Sequence, residues 1–253
     1  MRLGINLPIT DGAGHALDAA ALRERARLAE DAGFDSVWIE DAIGSGSWRP
    51  DPTTWLVPAA AATSSIELGI LDFLIAAREP VESGQELITL QALSDLRLTV
   101  GIGGGTPQAN AALGSDFSTR FPRMHANANI VRRLADGEVV GEASLETWPK
   151  VRNTLRIALS AVVENSIVHG AEGYDAWISP SDGASEEELV QRLAAYRAAG
   201  GTRAIVTAHV APADAPARLA ELAGLGYDDA ILILGDWTPA DLDALRALVP
   251  APA

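Results

Sequence analysis

Residues 97–105 read Arg97-Leu98-Thr99-Val100-Gly101-Ile102-Gly103-Gly104-Gly105. The stretch Leu98–Ile102 is almost continuously apolar and lacks the polar alternation of a half-exposed strand. That pattern suits a parallel strand covered on both faces. Working outward, seven further runs share its character: Leu3–Pro8, Ser36–Glu40, Leu68–Ile75, Leu155–Ala161, Ala176–Ser179, Ala204–His209 and Ala230–Leu234. The segments between them are rich in Ala, Leu, Glu and Arg and carry helix start and stop signals. Ser185 with Glu188 forms a capping box, and Gly200-Gly201 closes that helix. Thr238-Pro239, followed by Asp241, and Asp51-Pro52 each pair a cap with a first-turn proline. Gly33 ends a helix that starts near Ala19. Eight strand–helix units in 253 residues predict a (β/α)8 TIM barrel. The rival, a doubly wound open sheet, usually has fewer strands at this length.

No linker, repeat or charge block divides the chain, so residues 1–253 read as a single domain. The tail Val249–Ala253 is expected to fray. One connection breaks the rhythm. Gly103 to Pro149 reads as one helix, near Met124–Leu134, in otherwise irregular chain. Long loops in compact domains are usually functional, and this one leaves the C-terminal end of a strand.

Composition narrows the function. An apolar fraction of 48% excludes a disordered chain. The absence of cysteine excludes disulfides, thiolate metal sites and a cysteine nucleophile. A formal charge of −15 repels phosphate backbones and anionic lipid, so neither nucleic acid nor membrane is expected as a partner. The N-terminal strand has no signal-peptide stretch behind it, and the apolar region Trp55–Ala77 is broken by Pro58, Glu67 and Asp72. A cytoplasmic protein is expected.

In a barrel, residues just beyond each strand form the active-site face. Here they include Asp41, Asp72, Gly103 to Thr106, Ala161 to Ser166 and His209. Three glycines in a row let a flat ligand approach the backbone and leave amides free to donate, although a flexible turn would read the same way. Asp41 could accept a hydrogen bond from a ligand or act as a base; it could equally cap a helix or pair with an arginine. Asp72 lies inside an apolar run, where an unpaired carboxylate is costly. Either a bulge turns it to the barrel mouth or it pairs with a cation such as Arg78. The four histidines lack metal-ligand spacing, so no metal site is expected, and at the strand end His209 reads as a loop or capping residue. There is no Walker loop, GxSxG elbow or HExxH motif.

Taken in order, several segments resemble the bacterial luciferase-like superfamily of flavin- and deazaflavin-dependent oxidoreductases. They are Leu3-Gly-Ile-Asn-Leu-Pro8, Ala29-Glu-Asp-Ala-Gly-Phe-Asp-Ser-Val-Trp-Ile-Glu-Asp41, Arg78-Glu-Pro80, Thr89-Leu-Gln-Ala-Leu-Ser94, residues 97–105, and Leu113-Gly-Ser-Asp-Phe-Ser-Thr-Arg120. Order and spacing agree over residues 1–125; beyond them only Tyr174-Asp-Ala-Trp177 is familiar. The resemblance implies a luciferase-like TIM barrel with an isoalloxazine-type ring at its mouth, from FMN or a deazaflavin, coenzyme F-420. It places a non-proline cis peptide near Leu71–Asp72 under the ring and the backbone of Gly103, Gly104 and Gly105 along it, with Thr106 close by. Arg120 would hold the cofactor phosphate, Asn165 and Ser166 could donate to it from the start of a helix, and Asp41 would sit near ring and substrate.

The chain departs from that pattern in places. Ala42 stands where many relatives have histidine, Thr106 and Asn110 where deazaflavin-dependent members often have glutamate, and Glu164 in a loop that usually holds phosphate. Two readings follow: an oxidoreductase, or monooxygenase, acting on an unidentified small organic substrate; or a catalytically degenerate barrel that binds a flavin-like ligand or serves as a partner subunit. A homodimer through the helices near strands two and three fits the Ala-rich segment Ala59–Ala62, which could equally pack on its own barrel.

Overall fold

A computed structural model of the chain describes residues 1–46, 48–144 and 154–249. The tail beyond Val249 and the last part of the long connection lie outside these residues. Eight parallel strands close into a barrel: β1 (Arg2–Asn6), β2 (Ser36–Glu40), β3 (Glu67–Phe73), β4 (Leu98–Ile102), β5 (Arg156–Ser160), β6 (Ala176–Pro180), β7 (Ala204–His209) and β8 (Asp229–Ile233). Each pairs with its sequence neighbours, and β8 closes the ring on β1 through Arg2↔Asp229 to Ile5↔Leu232. Helices α1 (Ala19–Asp31), α2 (Pro52–Ala62) and α3 (Pro80–Leu93) follow the first three strands. After β4 come α4 (Pro107–Ala112) and α5 (Arg120–Ala135), and then α6 (Glu164–Gly173), α7 (Glu186–Ala198), α8 (Ala215–Ala223) and α9 (Pro239–Leu248).

The caps form as the residue types dictate. Ser185 and Glu188 bond reciprocally at the start of α7, and Thr238 and Asp241 do so at α9. Asp51 caps α2 through the Thr54 amide. The connection after β4 is more ordered than expected. Thr106 accepts from the Ala109 amide and Pro107 fits the first turn, so α4 forms where irregular chain was predicted. Asp116 then caps a short 3-10 turn, Phe117–Thr119, that leads directly into α5.

Two apolar layers hold the barrel. Strand and helix faces share the outer one, while Trp38, Ile178, Ile205 and Ile231 belong to a separate cluster inside the ring. Trp38 is completely buried, and its indole donates to Ser36 Oγ at 2.8 Å. Glycine makes room for it: a Cβ on Gly69 would lie 2.0 Å from the Trp38 ring. The N-terminal end of the ring is closed by charge instead. Arg203 bonds both oxygens of Glu67 and both of Asp229, and Arg2 reaches the same two carboxylates.

β3 departs from regular pairing where the resemblance placed a cis peptide. Every peptide bond among the described residues is trans. The irregularity is instead a bulge: the register with β4 shifts between Ile70 and Phe73, and Asp72 adopts φ 54°. A bulge leaves one residue out of the ladder and re-aims its side chain, which brings Asp72 to the mouth; Arg78 pairs elsewhere.

Candidate functional site

At the C-terminal mouth of the barrel, a cavity of about 350 Å3 lies between the end of β4, the start of α5 and the β5–α6 loop. Its walls include Asp72, Gly103, Gly104, Gly105, Thr106, Arg120 and Ser166. Leu159, Met124, Phe121, Val162 and Val163 add apolar surface. The glycine backbone is not bare. Added Cβ atoms would meet Asp72 Oδ1 at 2.8 Å from Gly103, Phe121 Cε1 at 2.9 Å from Gly104, and Leu74 Cδ2 at 2.6 Å from Gly105. The glycines therefore admit these three side chains against the main chain, and the cavity remains beyond them.

Arg120 is positioned before any ligand arrives. Its guanidinium carbon lies 3.7 Å from the Phe117 ring centre and 4.1 Å from that of Phe121, while Nη1 donates to the Phe117 carbonyl at 2.9 Å. Flanking rings hold the cation by its quadrupole attraction and leave other N–H groups to bind an anion. Ser166 lies in the first turn of α6, whose N-terminus favours negative charge. Glu164, whose charge opposed that role, is exposed and is not part of the cavity wall.

Asp72 is the most perturbed group here. Its Oδ1 is buried without a hydrogen-bond partner, although the residue as a whole keeps some exposure. Burial pushes its carboxyl pKa up, and Glu40 and Asp41 add to the rise against the opposing pull of Ser160 and His209. The shift is toward the protonated form.

Asp72, Gly105 and Thr106 also belong to the wall of a second cavity, of about 470 Å3, which extends toward Glu40, Asp41 and the segment Ala42–Ser45. Asp41 is committed within it. Its side chain is 2% exposed, and Oδ2 accepts from Arg78 Nη2 at 2.8 Å and from the Leu74 amide at 3.1 Å. Asp41 thus ties the end of β2 to the chain beyond β3 rather than standing free as a base. Its neighbour Glu40 reaches across the mouth instead, with Oε1 2.8 Å from His209 Nε2; Asp182 Oδ2 lies 2.8 Å from Nδ1 of the same ring. The hydrogen bond to Glu40, with Asp182 in support, raises His209 to about 9 despite partial burial, so the ring is an imidazolium at neutral pH.

Of the residues singled out from the sequence, the first cavity gathers Asp72, Gly103, Gly104, Gly105, Thr106, Arg120 and Ser166. Leu71 instead points into the ring's interior cluster, its carbonyl accepting from the Asp41 amide. Asn165 is exposed and lies off the cavity wall, because consecutive helical residues face different directions. Asp41 lines the second cavity only. Sequence reasoning placed Glu40 at a strand end on the mouth face but gave it no role, and it missed the tie made by His209. The strand-end position of His209 was the available signal, but its partners are 169 and 27 residues away in the chain. It also missed His125, which lines the first cavity with Nδ1 2.6 Å from the Tyr174 hydroxyl. Among the described residues no group of three or more His, Asp or Glu side chains could hold a metal ion, and no helix is long and apolar enough to cross a membrane.

A family model described as luciferase-like monooxygenase matches residues 1–246. An F420-dependent glucose-6-phosphate dehydrogenase from Beutenbergia cavernae is 34% identical over 121 residues, 45% of this chain. The match spans 36% of that relative's length. Among solved structures, the monooxygenase RslO1 from Streptomyces bottropensis superposes with a TM-score of 0.78 at 21% identity, over 98% of this chain and 97% of that one. An F420-dependent secondary alcohol dehydrogenase, in complex with an F420-acetone adduct, gives 0.76 at 14% identity over 98% of both chains. At these identities the structural likeness concerns the fold.

Proposed function

Since the chain belongs to the luciferase-like monooxygenase family, we propose that it is an oxidoreductase whose first cavity seats the ring of a flavin or deazaflavin beside a small organic substrate. The observation that carries this reading is the convergence of the Gly103–Gly105 backbone, the Arg120 guanidinium and the first turn of α6 on one cavity at the barrel mouth. An anionic, planar ligand suits that combination: a wall of glycines and the side chains packed on them, a fixed cation, and a helix N-terminus. The naming of the Beutenbergia cavernae relative as F420-dependent favours the deazaflavin over FMN. When bound, a deazaflavin supplies hydride transfer and a reduced flavin supplies oxygen activation.

The chain's own contribution is positional and electrostatic. Arg120 and Ser166 would hold the phosphate. Asp72, whose carboxyl is shifted toward its neutral form by burial, would be the polar group closest to the ring edge. Glu40, held by His209, is one of the polar groups that line the second cavity; Asp41, locked to Arg78, ties the end of β2 to the chain beyond β3 there.

The test is a titration of purified protein with FMN and with coenzyme F420, following the quenching of cofactor fluorescence. One of the two binds, and Arg120→Gln weakens that binding by about tenfold or more, since a hydrogen bond to a charged group contributes roughly 1.5–3 kcal/mol. Binding of neither cofactor, or an unchanged affinity in Arg120→Gln, refutes the assignment.

A further inference from the structure

His125 stands on α5 one turn beyond Phe121, and its ring lines the first cavity together with Arg120 and Ser166. The ring is held from its outer side. Nδ1 lies 2.6 Å from the Tyr174 hydroxyl, and the His169 ring meets it edge-on with 5.8 Å between centres. His169 follows Ser166 by three residues on α6, so the contact between the two rings draws His125 toward the first half of that helix. Three groups able to donate to an anion thus share the end of the cavity between α5 and α6: the Arg120 guanidinium, the Ser166 hydroxyl and the His125 imidazole.

Only the imidazole can change its charge there. Burial, with His169 beside it, holds its pKa below the ordinary 6.5, so the ring by itself is neutral at neutral pH. An anion within hydrogen-bond reach favours the imidazolium and opposes that shift. The Tyr174 hydroxyl suits either form, since it can donate to a bare Nδ1 or accept from a protonated one. The other charged and titratable groups around the ring leave it this role. Arg132, on the same helix, is paired with Asp175 at 3.1 Å. Glu172 lines the cleft on the outer side of the ring and not the cavity, while Asp72 faces it from another part of the cavity wall.

We propose that His125 is a proton-linked anion ligand, taking up one proton from solvent as a phosphate group seats against it, Arg120 and Ser166. The assignment rests on the redox reading of the cavity and adds to it a binding residue and a pH dependence. Because binding takes up the proton, affinity is complete below the free ring's pKa and falls as pH rises toward the higher value of the bound ring.

The probe is sulfate, a tetrahedral dianion that does not titrate where histidine does, added to cofactor-free protein. NMR follows the His125 ring, identified by the loss of its signal in His125→Gln. Saturating sulfate raises the His125 pKa by about one unit or more, and sulfate affinity falls about tenfold between about pH 5 and about pH 8. In His125→Gln that fall disappears. Asp72→Asn and His169→Gln, which remove the ionisable groups of the opposite wall and of the neighbouring ring, keep it. A His125 pKa that sulfate does not move, a fall that survives in His125→Gln or vanishes in either of the other variants, or sulfate that does not bind overturns the proposal. A chain that answered sulfate in this way but bound neither FMN nor coenzyme F420 would sink the redox reading and leave the anion site standing. Cofactor binding with an unmoved His125 would do the reverse.

Discussion

Replacing Glu67 by Gln should separate what the floor of the barrel does from what its mouth does. Glu67 begins β3 with its side chain 8% exposed. Its Oε1 accepts from Arg203 Nη1 at 2.9 Å, and Oε2 from Arg203 Nη2 at 3.0 Å and Arg2 Nη2 at 2.6 Å. Burial on its own would raise the carboxyl pKa; Arg203, with Arg2 behind it, outweighs burial and holds the group at about 2, against an ordinary 4.5. A depression of that size corresponds to about 3 kcal/mol of stability, matching the roughly 3–5 kcal/mol lost when a buried ion pair loses one partner. The two figures describe one interaction and do not add. Because the folded-state pKa is the lower one, this stability is complete above the ordinary value of 4.5 and is lost as pH falls toward about 2. Urea unfolding at neutral pH should therefore show the variant less stable by about 3 kcal/mol, with its melting midpoint lowered by roughly 6–12 °C. The two proteins should converge near pH 2, while cofactor affinity at the opposite end of the barrel is unchanged. A deficit below about 1 kcal/mol at neutral pH, or one undiminished in acid, would refute the reasoning.

At the mouth, NMR titration of His209 should give a pKa near 9, with Glu40 as the chief cause. Here the folded-state value is the raised one, so the stabilisation is complete below the ordinary 6.5 and lost as pH rises through 9. The side chain is 52% exposed, so this amounts to less than about 1 kcal/mol after solvent screening; a midpoint near 6.5 would remove the tie to Glu40. Arg78→Leu should cost about 3–5 kcal/mol in urea unfolding by leaving Asp41 buried and unpaired. Adding Asp41→Asn should recover much of that, and a double variant no more stable than the single one would exclude pairing as the cause. Gly103→Ala should fold but bind cofactor more weakly, because its Cβ would displace the Asp72 carboxyl 2.8 Å away. Gly69→Ala should be far more damaging to folding than Gly103→Ala, since Trp38 fills the ring interior and cannot move aside; equal melting midpoints would contradict this.

The barrel could be read in the sequence because each of its strands is buried on both faces and so appears as an unbroken apolar run. Leu98–Ile102 and Ser36–Glu40 match the strands to the residue, whereas Leu155–Ala161 runs one residue past each end and Leu68–Ile75 runs two past the C-terminal end. Composition does not record where pairing stops. The glycine run at 103–105 pointed to the end of β4, where a cavity lies, although a flexible turn would have read the same way. What occupies that space could not be read. Asp72, Phe121 and Leu74 reach the glycines from a bulge, a helix and a loop whose geometry depends on the closed ring. Asp72 inside an apolar run had left a bulge as one of two readings, and the structure has that bulge; the trans path of β3 and the His209 tie escaped. Both depend on contacts between distant segments, and a single sequence carries no local mark of them.

Asp72 stands in the partition between two cavities, so a guest in either one would meet the same carboxyl. With the ring in one cavity and the substrate in the other, whichever molecule arrived first would set the orientation of that one carboxyl for its successor. By reciprocity, any tightening that the ring brings to the substrate must return to the ring in equal measure. Such coupling would show as a difference between the affinities measured one at a time and those in the ternary complex.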